Sequence, residues 1–259
     1  MQHREILSRL STLTLLSTLG FLSLTMIATA SAEIYELRTY TTNDGKLAAL
    51  NARFRDHTVK LFDKHGMGSV GYWVPTSEPN SKNTLIYVLK HKSREAAKAS
   101  WRAFISDPAW KKVAKESQID GQILAKAPES VYMNATDYTP EYAEKKSDDA
   151  VFELRIYRTN EGQLKNLDAR FRDNTIRIFN RHGMKSVAYW HPADEPSSKD
   201  TLIYIIRHDS AEAAKKSWDS FRADEEWKKV AEESQKDGKF LREAPESIYM
   251  NATDYSEIR

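Results

Sequence analysis

Cysteine is missing from all 259 residues, which excludes disulfides, thiolate metal ligands and a lipid-modified cysteine at a processing site. Glycine (9) and proline (8) are scarce, so collagen-like, linker-like and disordered compositions are excluded as well. Neither sign of charge dominates, with 39 Lys and Arg against 37 Asp and Glu, and without a basic excess no nucleic-acid partner is expected. Long apolar runs are confined to one place near the N-terminus, so after residue 32 no stretch reaches across a hydrocarbon layer of about 30 Å. A phosphate-cradling glycine loop, a Gly-x-Ser-x-Gly elbow and a His-rich metal run are also missing.

That one apolar place reads as an address. Arg4 and Arg9 precede an uncharged run from Leu10 to Ala32, which ends in Ala30-Ser31-Ala32. This is the pattern of a signal peptide over residues 1–32, cleaved before Glu33, and it predicts a periplasmic or secreted protein. The rival reading is an uncleaved anchor, which the Ser and Thr content disfavours. No Arg-Arg pair points to the twin-arginine route. Cleavage would remove two of the 39 basic residues and one of the 37 acidic ones, leaving a net charge of +1, with no stable membrane span.

What the chain does have is a copy of itself. Lys64-His65-Gly66-Met67-Gly68-Ser69-Val70-Gly71-Tyr72-Trp73 returns as Arg181-His182-Gly183-Met184-Lys185-Ser186-Val187-Ala188-Tyr189-Trp190. Carried outward without a gap, the match runs from Ile34–Tyr138 to Val151–Tyr255 at roughly 60% identity, a tandem duplication. Repeat 1 covers 33–138, a charged linker 139–150, and repeat 2 151–255.

Within each repeat the periodicity predicts strand, helix, strand, strand, helix, strand. Residues 33–42 alternate as a strand, and in the second copy Phe152, Leu154 and Ile156 form an apolar face that is expected to meet the helices. The Glu-x-Arg-x-Tyr row then points the other way. Lys46 to His65 reads as one helix with Leu47, Leu50, Phe54, Thr58 and Leu61 on its buried face, stopped by Gly66. Ser69–Val74 and Thr84–His91 are strands. Ser93 caps a second helix, Asp107-Pro108 breaks and recaps it, and Ser130–Thr136 is the last strand. The order is that of a ferredoxin-like βαββαβ unit, a four-stranded antiparallel sheet with two helices on one face. Its uncovered face predicts burial against the second copy.

Tyr35-Glu36-Leu37-Arg38-x-Tyr40, His65-Gly66, Tyr72-Trp73 and the segment from Trp101 to Asp107-Pro108-x-Trp110 together resemble a NIPSNAP domain, twice over. The resemblance implies the dimeric α+β barrel superfamily, with the two repeats pairing inside one chain. It brings no settled activity and no catalytic set.

Candidate functional residues therefore rest on residue type and place. Glu36, Arg38 and Tyr40, with Glu153, Arg155 and Tyr157, could fix a polar substrate inside the barrel, or form a mutually satisfied buried network. His65 and His182 could transfer protons at a pocket mouth, or bond the last helical carbonyls. Trp73 and Trp190 could line an aromatic pocket, although large aromatics at strand spacing are usually core. Arg53 and Arg55 stand two apart on a helix, so only one can face inward, where it would bind an acidic group or pair with Glu36. His57 becomes Asn174 and Val74 becomes His191, so a histidine acting at either place would serve one half only.

No cofactor is predicted. The expected partner is a small apolar or aromatic ligand, beyond the pseudo-dimer, with a higher oligomer left open. Three classes follow: a scaffold or binding module, placed first; an enzyme like the superfamily's cofactor-independent monooxygenases and isomerases; and a haem-associated protein.

Overall fold

The computed structural model describes residues 33–143, 146–236 and 238–259; the leader expected over 1–32 lies outside them. Repeat 1 runs β1 (Ile34–Thr41), α1 (Leu47–Arg53), a π-helical turn (Phe54–Thr58), α2 (Val59–Lys64), β2 (Gly68–Pro75), α3 (Asn80–Asn83), β3 (Thr84–His91), α4 (Arg94–Ser106), α5 (Pro108–Glu116) and β4 (Glu129–Ala135). Repeat 2 follows with β5 (Val151–Arg158), α6 (Leu164–Arg170), a second π-helical turn (Phe171–Thr175), α7 (Ile176–Arg181), β6 (Lys185–Pro192), β7 (Thr201–His208), α8 (Ala211–Ala223), α9 (Glu225–Glu233) and β8 (Glu246–Ala252). The local signals act where they stand. Ser93 Oγ accepts from the Ala96 amide at 3.0 Å, and Asp107 Oδ1 from the Ala109 amide at 2.7 Å. Gly66 (φ 73°) closes α2 while the Met67 amide reaches back to the Phe62 carbonyl at 2.9 Å, a bond that needs the left-handed residue between.

The eight strands close into one antiparallel barrel in the order β1-β3-β2-β8-β5-β7-β6-β4. Closure comes from two ladders between repeats, Trp73 to Pro75 against Ala252 to Met250, and Met133 to Ala135 against Pro192 to Trp190. Neither sheet keeps a free edge, so both repeats belong to one compact unit. The linker is tied down at both ends: Thr139 Oγ1 donates to the Tyr189 carbonyl at 2.6 Å, and the Ser147 amide to Arg259 at 3.0 Å.

Two compartments result, and their contents reverse the expected facing of β1 and β5. Leu37, Phe152, Leu154, Trp73, Trp190, Met133 and Met250 fill the barrel interior. Tyr40 and Tyr157 instead pack with Phe54, Phe62 and Phe104, or Phe171, Phe179 and Phe221, under the helices. The Glu-x-Arg-x-Tyr row thus faces the helix layer, where Trp101 of α4 and Trp218 of α8 donate to Glu36 and Glu153. The barrel interior takes the aliphatic and aromatic set, in which the Trp73 and Trp190 indole N–H groups have no partner among the described residues.

Candidate functional site

On the outward face of β1, Glu36 is fully buried yet accepts four side-chain contacts. Arg38 Nη1 and Ser130 Oγ donate to Oε1 at 2.6 Å each, Trp101 Nε1 to Oε2 at 2.7 Å, and His91 Nε2 lies 3.0 Å from Oε2. Burial alone would raise this carboxyl, but the His91 bond, the Arg38 charge and the Ser130 and Trp101 bonds outweigh it and hold the pKa at about 2. Glu153 has the same four partners in Arg155, Ser247, Trp218 and His208, and the same value of about 2. The two carboxylates are fully bonded, while Arg38 Nε and His91 Nδ1, with Arg155 Nε and His208 Nδ1, are buried without a partner among the described residues; the bond to Glu36 holds Arg38 with its guanidinium 4.3 Å from the Trp101 ring centre.

The helix over that network is not regular. Thr58 Oγ1 donates to the Arg53 carbonyl at 3.1 Å, spanning the π-helical turn, and Thr175 does the same to Arg170. Arg53 and Phe54 stand three and four residues after buried Leu50, so both lie on the inner face of α1 before the turn begins, and the extra residue in the turn makes Phe62 rather than Leu61 the buried residue beyond it. Arg53 is only 7% exposed, and among the described residues no carboxylate pairs with it. Its contacts are Ser117 Oγ at 3.4 Å and the Trp110 ring at 5.3 Å, and its Nε has no partner. Burial lowers its pKa, opposed only by the Tyr40 and Tyr87 phenols. Arg55, two residues on, points to solvent and makes a two-bond fork with Asp254 at 2.6 and 2.8 Å. Arg53 therefore does not pair with Glu36; Arg38 does.

Arg53 and Arg38 face one cavity of ≈ 580 Å³ between β1 and the helices, walled by Tyr40, Trp101, Phe104 and Trp110. The equivalent space in repeat 2 is ≈ 290 Å³ and is bounded by Tyr157, Arg170, Phe179, Phe221 and Trp227. Phe240 stands where repeat 1 has Ile123 and lies 4.7 Å from the Arg170 guanidinium. Tyr157 is also pinned there, accepting from Tyr204 Oη at 3.0 Å and Arg155 Nη2 at 3.3 Å.

The other candidates lie elsewhere. His65 Nε2 is 2.8 Å from Asp107 Oδ2 and His182 Nε2 is 2.6 Å from Asp224 Oδ2. These imidazoles thus bind the carboxylates that cap α5 and α9 rather than the carbonyls of their own helices, and line neither cavity. The Lys64 bond, the His65 bond and the Ala109 amide depress Asp107. Trp73 and Trp190 are barrel core. His191 bonds Asp168 at 3.0 Å; His57 lies at a shallow outer cleft with Asp56 and Glu116. Among the described residues no group of three or more His, Asp or Glu could hold a metal. His65, His91, His182, His191 and His208 each place Nε2 at a carboxylate, and among the described residues no histidine lines either cavity. His91 and Ser130 were not among the expected site residues; they sit 55 and 94 positions from Glu36, and no local pattern joins them to it.

A NIPSNAP family model matches residues 35–137 and again 152–257. A candidate monooxygenase from Fusobacterium nucleatum is similar in structure, with a TM-score of 0.57 at 13% identity over 86% of this chain and 93% of the other. One from Lactobacillus acidophilus gives 0.55 at 13% over 86% and 94%, and an anthrone oxidase-like protein 0.54 at 15% over 86% and 92%. These likenesses are of fold. A search of curated proteins gives no match.

Proposed function

Because the chain belongs to the NIPSNAP family, which brings a fold and no fixed reaction, we propose its function from the repeat 1 cavity: it takes a small, flat, electron-rich aromatic anion for oxygenation without a cofactor. The observation that carries this is Arg53, a buried cation with no carboxylate partner among the described residues, in an aromatic-walled cavity of ≈ 580 Å³. An uncompensated buried guanidinium is costly unless an anion completes it. A phenolate or enolate does so, and the same charge favours the ionised form of the substrate over its neutral acid.

The structural likeness to monooxygenase-type proteins supports the chemistry by analogy. For a substrate such as anthrone the reaction balances without a reductant: the ionised CH2 carbon gives four electrons to O2. One oxygen atom becomes the new carbonyl and the other leaves as water with the two former CH2 protons. Arg53 and Arg38 would hold the oxyanion, while Trp101, Trp110 and Tyr40 would stack the ring and exclude water. The signal peptide read in the sequence would place this reaction in the periplasm or outside the cell.

A second reading is carriage without chemistry. It is favoured by the state of Glu36, which is ionised and fully bonded and so gives the cavity no proton acceptor. Oxygen uptake with anthrone separates the two. Uptake by the wild type that Arg53→Met lowers at least about tenfold supports oxygenation. Saturable binding without uptake supports carriage. Neither binding nor uptake, or uptake untouched by Arg53→Met, overturns the assignment of the cavity.

A further inference from the structure

The repeats differ by a matched pair of residues on their flanks. In repeat 1, Arg94 at the start of α4 lays its guanidinium over Tyr132 of β4, 3.7 Å from the ring centre. Asp194, from the loop after β6, holds it there with Oδ2 at 3.0 Å from Nη2. In repeat 2 the position of Arg94 is Ala211, and the position of Asp194 is Ser77. Both halves of the plug are gone. A cleft of ≈ 510 Å³ stands open there between α8 and β8, walled by Tyr249, Trp218, Val151 and Ala214, with Thr76 beside Ser77 at its edge.

We propose that this cleft is a second ligand site, separate from the helix–sheet cavity, for a planar aromatic anion stacked on Tyr249. The sister groove shows that a flat conjugated group fits over this ring, since Arg94 supplies one. The sign of charge follows from the rim. Asp194 neutralises the cation in repeat 1, but repeat 2 lacks that acid and gains Arg222 where repeat 1 has Ile105. Lys215 and Arg222 both line the cleft. Their common partner Asp219, 2.6 Å from each, offsets one of the two charges, so the rim remains positive. Glu153 lies behind Tyr249, but Arg155, His208, Trp218 and Ser247 already occupy it. Trp218 Nε1 is fixed by its 2.7 Å bond to Glu153, so that wall is set before a ligand arrives.

The test is a fluorescence titration of the full chain carrying Arg53→Met, so that the helix–sheet cavity does not contribute. The probes are 1-naphthoate and its cationic counterpart 1-naphthylmethylammonium. Saturable naphthoate binding is expected, with the cation weaker by about tenfold or more. Refilling the cleft with Ala211→Arg and Ser77→Asp should abolish binding, and Arg222→Ile should weaken it about tenfold. Naphthoate binding that survives refilling, a cation that binds as tightly, or no saturable binding at all would overturn the proposal. If the double variant does not fold, Arg222→Ile alone decides, and no change in its naphthoate affinity counts against the site.

Discussion

The guanidinium of Arg53 lies 5.3 Å from the centre of the Trp110 ring, and that of Arg170 lies 5.1 Å from Trp227. The duplication thus repeats an aromatic-backed cation that has no carboxylate partner among the described residues. A π-cloud compensates a buried charge only in part. That residue of uncompensated charge distinguishes these arginines from Arg55 and Arg172, which meet Asp254 and Asp137 at the surface.

Replacing Arg53 by Met should therefore raise stability, by about 1 kcal/mol, while removing ligand binding, the trade expected of a functional group held at a cost. Differential scanning calorimetry alongside a binding titration checks both signs. A lowered Tm would mean that Arg53 is a structural residue.

Stability should fall in acid because of two carboxyls. Glu36 and Glu153 have a folded pKa of about 2 against an ordinary 4.5. Their contribution is complete above the unfolded value and is lost as pH drops from 4.5 toward 2, at roughly 3 kcal/mol each. Glu36→Gln should flatten that acid limb in urea titrations, and should cost about 3 kcal/mol or more at neutral pH by leaving Arg38 unpaired. An unchanged slope below pH 4.5 would refute the network.

His65→Asn should cost about 1 kcal/mol through its lost bond to Asp107 and leave ligand affinity unchanged, since His65 does not reach the cavity. Loss of binding at equal Tm would restore His65 as a site residue.

Gly71→Ala should destabilise by about 1–3 kcal/mol, because the new methyl would lie 2.5 Å from the Trp73 ring. Repeat 2 already carries Ala188 at this place, so Ala188→Gly should cost about 1 kcal/mol or less. Equal effects in chemical denaturation would show that the two tryptophans are packed alike.

Residues 33–143 expressed alone should dimerise or aggregate. They would expose the β2 and β4 edges that close on β8 and β6, together with Trp73 and Met133. A stable monomer by analytical ultracentrifugation would contradict the barrel's interdependence.

The sequence by itself determined whatever depends on near neighbours. The duplication, the order of strands and helices, the caps at Ser93 and Asp107, and the stop at Gly66 each involve a few consecutive residues whose conformations are set locally. The family could be read from the same stretches. What tertiary structure decided is which face of each element turns where. Alternation along β1 reveals two faces, but both are buried in this fold, one by the barrel and one by the helices, so apolarity could not tell Leu37's side from that of Glu36 and Tyr40. Likewise a regular helix would have kept Leu61 on the buried face, and only the π-helical turn puts Phe62 there instead. Ser130 and His91 joined Glu36, and Phe240 reached the Arg170 guanidinium, through contacts across dozens of residues. Such contacts leave no periodic trace in the chain, because they arise from how the sheets close rather than from how any one segment folds.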